Sequence, residues 1–156
     1  MLHYTEFCLS PYEVPGEQSI CIYISGCIHK CPNCHYPELQ LPDNGELLYK
    51  YFSDILALYL KQASCICFLG EGMELPQEKN EFALYTEYAH NKGLKSCLYS
   101  ERDTVIEQWM HMFDYIKLGS YHEEFGTLDS VITNQRMYRK NNNNGYDDVT
   151  YLFWDR

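Results

Sequence analysis

The sequence predicts an α/β domain, and three observations carry that reading. Short apolar runs alternate with segments of helical periodicity from Ser19 to Leu118. Glycines punctuate the boundaries at Gly26, Gly70 and Gly93. The strand–helix–strand repeat is too long for hairpins and fits parallel strands joined by crossovers. The resulting sheet is either open or part of a barrel, and in both cases ligands collect at the C-terminal ends of the strands.

Each element follows from its residues. Ser19 to Ser25 is apolar and β-branched, as a buried strand requires, and stops at Gly26. A loop rich in turn formers and cysteine follows. From Leu47 to Gln62, Leu48, Tyr51, Phe52, Ile55, Leu58 and Tyr59 recur at helical spacing. Cys65 to Leu69 is a second strand, and Glu78 to Lys92 a second helix closed by Gly93. Lys95 to Tyr99 is a third strand, Thr104 to Met112 a third helix, and Tyr115 to Leu118 a fourth strand. Asn141 to Gly145 is a polar turn, and Val149 to Trp154 a last strand or a docking tail. The cysteine loop after the first strand and the loop Gly70-Glu71-Gly72-Met73-Glu74 after the second are therefore expected to face one pocket.

Composition narrows the function. The 156 residues fit a single domain spanning 1–156, with 46% hydrophobic and 22% charged residues. A net charge of −10 repels phosphate backbones and anionic headgroups, so neither nucleic acid nor a membrane is expected as partner. No apolar run long enough to span a bilayer occurs, and the first residues lack a signal-peptide pattern, so a cytoplasmic location is expected.

Eight cysteines are then a chemical statement rather than a disulfide framework. Three of them, Cys27, Cys31 and Cys34, share one loop with the spacing C-x3-C-x2-C. Thiolates suit zinc and iron–sulfur clusters. A structural zinc site needs a fourth ligand, for which His29, His35, Cys8 or Cys65 are the candidates, poorly placed or distant. Three thiolates on a 4Fe–4S cluster leave one iron open to substrate, unlike the four-cysteine pattern of ferredoxins. Spacing alone leaves zinc as a rival.

The longer stretch Ile24-Ser25-Gly26-Cys27-Ile28-His29-Lys30-Cys31-Pro32-Asn33-Cys34-His35 resembles the activating proteins of anaerobic (class III) ribonucleotide reductases, within the radical S-adenosylmethionine superfamily. Tyr115 to Gly119, Gly126 to Ser130, the segment Thr133-Asn134-Gln135-Arg136 and the ending Thr150 to Trp154 are similar to that family as well. The resemblance covers most of residues 16 to 154. It implies a small partial (β/α) barrel of mainly parallel strands, radical SAM type. It implies a 4Fe–4S cluster on Cys27, Cys31 and Cys34 whose open iron binds S-adenosylmethionine. One-electron reduction then gives methionine and a 5′-deoxyadenosyl radical, which takes a hydrogen from a glycine of the reductase and leaves a glycyl radical there. The implied partners are anaerobic ribonucleoside-triphosphate reductase as protein substrate and a low-potential electron donor such as flavodoxin.

The same resemblance implies cofactor contacts from Asn33, Gly70, Glu71 and Gly72, and the strand-end position of Ser100 adds it to the expected contacts. The loop after the second strand departs from the family's paired glycines followed by an acid, because Glu71 interrupts Gly70 and Gly72. Asn33 stands where an aromatic residue is often found, leaving its backbone to meet the adenine. Lys95, Ser100 and Arg102 are expected at or after the end of the third strand, in reach of a cofactor carboxylate or ribose. Cys65 and Cys67 share one strand face and read as small core residues. Two alternatives stay open: an activase of another glycyl-radical enzyme, and a zinc-stabilised binding module without enzyme activity.

Overall fold

The structure is a computed structural model, and it describes residues 1–26 and 44–154. Eight strands form one mixed sheet: β1 (His3–Ser10), β2 (Ser19–Ile24), β3 (Glu46–Leu47), β4 (Cys65–Leu69), β5 (Lys95–Tyr99), β6 (Tyr115–Leu118), β7 (Arg136–Lys140) and β8 (Tyr146–Asp148). Their order across the sheet is β3-β1-β2-β4-β5-β6-β7-β8. Among the described residues two α-helices, α1 (Leu48–Tyr59) and α2 (Pro76–Asn91), join the sheet in an α/β architecture.

The expectation of mainly parallel strands is corrected by the pairing. Among the described residues, only β2, β4, β5 and β6 pair in parallel. The pairings β1–β2, β1–β3, β6–β7 and β7–β8 are antiparallel. The parallel centre consists of the four near-continuous apolar runs, which suit strands covered on both faces. The antiparallel flanks are shorter or more polar.

The two helices cover one face. Leu48, Phe52, Ile55 and Leu56 of α1 and Phe82, Tyr85 and Ala89 of α2 are buried against Ile20, Ile22, Ile24, Ile66, Phe68, Leu98 and Ile116 of the sheet. Phe52 stacks on Tyr85 with ring centroids 4.2 Å apart. Pro76 opens α2 at a position where its missing N–H costs nothing. Gly93, at φ 83°, ends the helix in the left-handed conformation.

The other face buries Cys21, Tyr23, Cys65, Cys67, Cys97 and Tyr115 beneath Val14, Leu128, Met137, Val149 and Phe153. Val149 to Trp154 is thus a docking segment and not a strand. Its core is a 3₁₀ turn, Thr150–Phe153, with the Thr150 N–H donating to Asp148 Oδ1 at 3.0 Å. The third helix is likewise reduced to a 3₁₀ turn, Gln108–Met112. Val105, inside the expected helix, is 79% exposed, so its apolar spacing marks no buried face. No described helix is long and apolar enough to cross a membrane.

Candidate functional site at the C-terminal edge of the parallel strands

Strand β2 delivers the chain to the cysteine segment. The Ser25 N–H donates to His3 O at 2.9 Å, and Ser25 Oγ donates to Asn44 O at 2.6 Å. The segment therefore leaves and re-enters the fold at one place. Gly45 seals the return, because a Cβ there would lie 2.0 Å from Tyr4 O. Cys27, Cys31, Cys34 and Asn33, with His29 and His35, lie outside the described residues.

The loop after β4 packs directly on this exit. Gly70 has φ 119°, and a Cβ on it would come within 3.0 Å of Ile24 O. Only glycine permits that approach without displacement. Gly72, at φ 70°, is similarly confined by Leu2 Cδ2 and Glu78 Oε1. Buried Glu78 organises the same loop, accepting from the Met73 N–H at 2.8 Å. Both glycines thus have steric reasons within the fold, and Gly70 lies against Ile24 at the end of β2; the cysteine loop expected to face the glycine–acid loop lies outside the described residues.

Glu71 is buried at the end of β4. Its carboxylate accepts from Ser100 Oγ at 2.6 Å and from Arg102 Nε and Nη2 at 3.1 and 2.8 Å. Ser100 is itself fully buried at the end of β5. Arg102 also meets Glu74 Oε1 at 2.6 Å and is held by Glu107 at 2.6 and 3.0 Å. One guanidinium thus serves three carboxylates. The hydrogen bond from Arg102 holds Glu107 down to about 2, with the Trp109 N–H also contributing. The Glu107 bond correspondingly raises Arg102 above its ordinary value. Glu74 adopts φ 61°, a strained backbone for a non-glycine residue and of the kind that gathers at functional sites.

Lys117 is a further member of this edge that sequence reasoning missed. It is 2% exposed, and Nζ donates to Ser100 O at 3.1 Å, Gly119 O at 3.0 Å and Glu101 Oε1 at 2.8 Å. It clamps the loops after β5 and β6 together. A charged residue in an otherwise apolar strand, Tyr115-Ile116-Lys117-Leu118, was the available signal.

The remaining expectations divide. Lys95 opens β5 and pairs with Glu17 at 2.6 Å, so it lies at the opposite edge and is removed from the site. Asn134 and Gln135 donate to Ser120 O and Gly119 O, at 2.9 and 3.4 Å, beside the loop after β6. Arg136 instead pairs with Asp148 on the neighbouring strand. Asn134 Oδ1 is buried without a hydrogen-bond partner among the described residues. Also among the described residues, no group of three or more His, Cys, Asp or Glu side chains is arranged to hold a metal ion. Protein-family models, curated proteins and solved structures contain no match to this chain.

Proposed function

We propose that this chain is a radical S-adenosylmethionine activase, with Cys27, Cys31 and Cys34 holding a 4Fe–4S cluster and a glycyl-radical reductase as its protein substrate. The observation that supports the reading is the close approach of Gly70 to Ile24, which brings the end of β2, from which the chain runs on to Cys27, beside the loop that carries the buried carboxylate of Glu71. The partial-barrel form of that superfamily belongs to the same proposal, with the four parallel strands as its core.

The described residues fit the amino-acid end of the cofactor. Glu71 offers a carboxylate for an ammonium group, Arg102 a guanidinium for a carboxylate, and Ser100 a hydroxyl between them. The pair is complementary to an α-amino carboxylate, and three acids against one Arg favour an added cationic group. The bound cluster and cofactor supply the reductive carbon–sulfur cleavage that makes the radical. The chain's own work is to orient: Gly70 brings backbone close, Lys117 fixes Ser100, and the sheet excludes water beneath them.

Anaerobic reconstitution with iron and sulfide, reduction, and addition of S-adenosylmethionine provide the test. Release of 5′-deoxyadenosine is expected, with a glycyl-radical resonance when an anaerobic ribonucleoside-triphosphate reductase is added. Replacing Cys27, Cys31 or Cys34 by Ala abolishes both, whereas Cys97→Ala abolishes neither. One zinc per chain and no brown chromophore would overturn the cluster and favour the binding module. Cofactor cleavage without a radical on the reductase would move the target to another glycyl-radical enzyme.

A further inference from the structure

Five cysteines outside the loop share the sheet face opposite the helices, and four stand in a row. Cys8 pairs with Cys21, Cys21 with Cys67, and Cys67 with Cys97, each in direct register across adjacent strands. Cys21, Cys67 and Cys97 are fully buried, while Cys8 on β1 is partly exposed. All are free thiols. Scattered at positions 8, 21, 67 and 97, they show no ligand spacing in the sequence; the sheet register creates the row.

We propose that this row is a binding site for a thiophilic, two-coordinate d10 ion of the copper(I) class, with Cys21 and Cys67 as the shared ligands and Cys8 as the point of entry. Geometry selects the ion. Neighbouring strands lie about 4.8 Å apart, so in-register side chains on one face start about that far apart. A disulfide needs the two Cβ atoms drawn in to about 3.8 Å. Two metal–thiolate bonds of about 2.3 Å in a line span about 4.6 Å, close to the general strand spacing, so such an ion asks for less movement than a disulfide. A straight row also offers no point where three donors converge, in keeping with the lack of any three-ligand group among the described residues. Zinc and iron–sulfur clusters are thereby disfavoured here, and soft thiolates select copper(I).

Burial and neighbouring thiols raise Cys21, Cys67 and Cys97, so the thiols are neutral before an ion enters. Metal ligation takes thiolates, so a monovalent ion enters between two thiols as both protons leave to water, and the resulting unit carries one negative charge. Loading is therefore opposed by acid, and no oxidant or reductant is required.

The test uses the full chain with Cys27, Cys31 and Cys34 changed to Ser, so that the loop takes no metal. Copper(I) is titrated without oxygen against a chromophoric chelator, and X-ray absorption reads the coordination. Retention of copper with two sulfur neighbours in a linear arrangement is expected. The double variant Cys21→Ala/Cys67→Ala, which leaves no two cysteines in direct register, then weakens retention at least tenfold, whereas Cys65→Ala, whose register partners are Ser19 and Lys95, leaves it unchanged. Cys8→Ser slows loading without changing the final amount. No retained copper, three or four sulfur neighbours, or full retention in the double variant would overturn the proposal. If the double variant does not fold, the sulfur count in the parent protein decides alone.

Discussion

The two ends of the parallel strands are built from the same residue types and balance charge differently. At the N-terminal end the pairing is one to one: Lys95 pairs with Glu17, whose other oxygen accepts from Ser64 Oγ, and His90 Nε2 lies 3.0 Å from Asp114 Oδ2. At the C-terminal end Arg102 is shared by Glu71, Glu74 and Glu107. The first arrangement fastens a fold and is complete. The second carries surplus negative charge at a buried position, which stability alone does not call for. The difference teaches where a ligand's positive group would be welcome, and it agrees with the side of an α/β sheet where ligands gather.

Arg102→Met is the strongest way to break the comparison. It leaves three carboxylates around a site where the arginine side chain was 16% exposed. Losing one partner of a buried ionic network costs about 3–5 kcal/mol, read as a lower urea midpoint. A loss below about 1 kcal/mol would make the cluster an ordinary solvated patch and erase the contrast.

Acid sharpens the same point. Glu107 is lowered from 4.5 to about 2 by its bond from Arg102. A carboxylate depressed in the folded state contributes stability above its ordinary value, and that contribution is lost as pH falls from about 4.5 towards about 2. Carbon-13 titration of the Glu107 carboxyl should show this low midpoint in the native chain. In Arg102→Met the midpoint should return to the ordinary carboxylate range. An unchanged midpoint would transfer its cause to the Trp109 N–H.

Gly70→Ala has a smaller expected effect. The new methyl meets Ile24 O at 3.0 Å on a backbone at φ 119°, a conflict of about 1–3 kcal/mol. Gly93→Ala, near the other end, meets nothing within 4 Å and faces only the left-handed backbone at φ 83°, about 1–2 kcal/mol. The two differ in kind: Gly70→Ala also presses on Ile24 at the end of β2, so under the proposed function cofactor cleavage falls with it, while Gly93→Ala loses stability alone. Equal activity in both would detach the Gly70 contact from function.

What the sequence disclosed follows from how each element is buried. Strands β2, β4, β5 and β6 were legible because central parallel strands are apolar throughout, and α1 and α2 because their buried residues recur at helical spacing. Strands β1, β7 and β8 escaped notice because their polar residues and irregular alternation leave little periodic signal. His3–Ser10 even carries a register shift between Tyr4 and Glu6. Within the site, Glu71 and Ser100 could be placed from their strand ends. The grip of Arg102 on three acids joins loops distant in sequence, and the cysteine row depends on register across four strands. Neither can be read along one segment.

Lys95→Met is the smallest effect and the control for the comparison. The lysine side chain is 56% exposed, and Glu17 keeps the hydrogen bond from Ser64 Oγ at 2.7 Å. Such a pair contributes about 0–1 kcal/mol. The Glu17 carboxylate raises Lys95 above its ordinary value. A cation raised in the folded state contributes fully below the unfolded value, about 10.4, and loses that contribution only as pH climbs through the raised value. Unfolding curves of the variant and the native chain should therefore run parallel between about pH 6 and 9, where lysine stays charged in both states. A loss as large as that of Arg102→Met would make both ends of the strands equally dependent on their cations, and the surplus of acids at the C-terminal end would no longer mark it as the site.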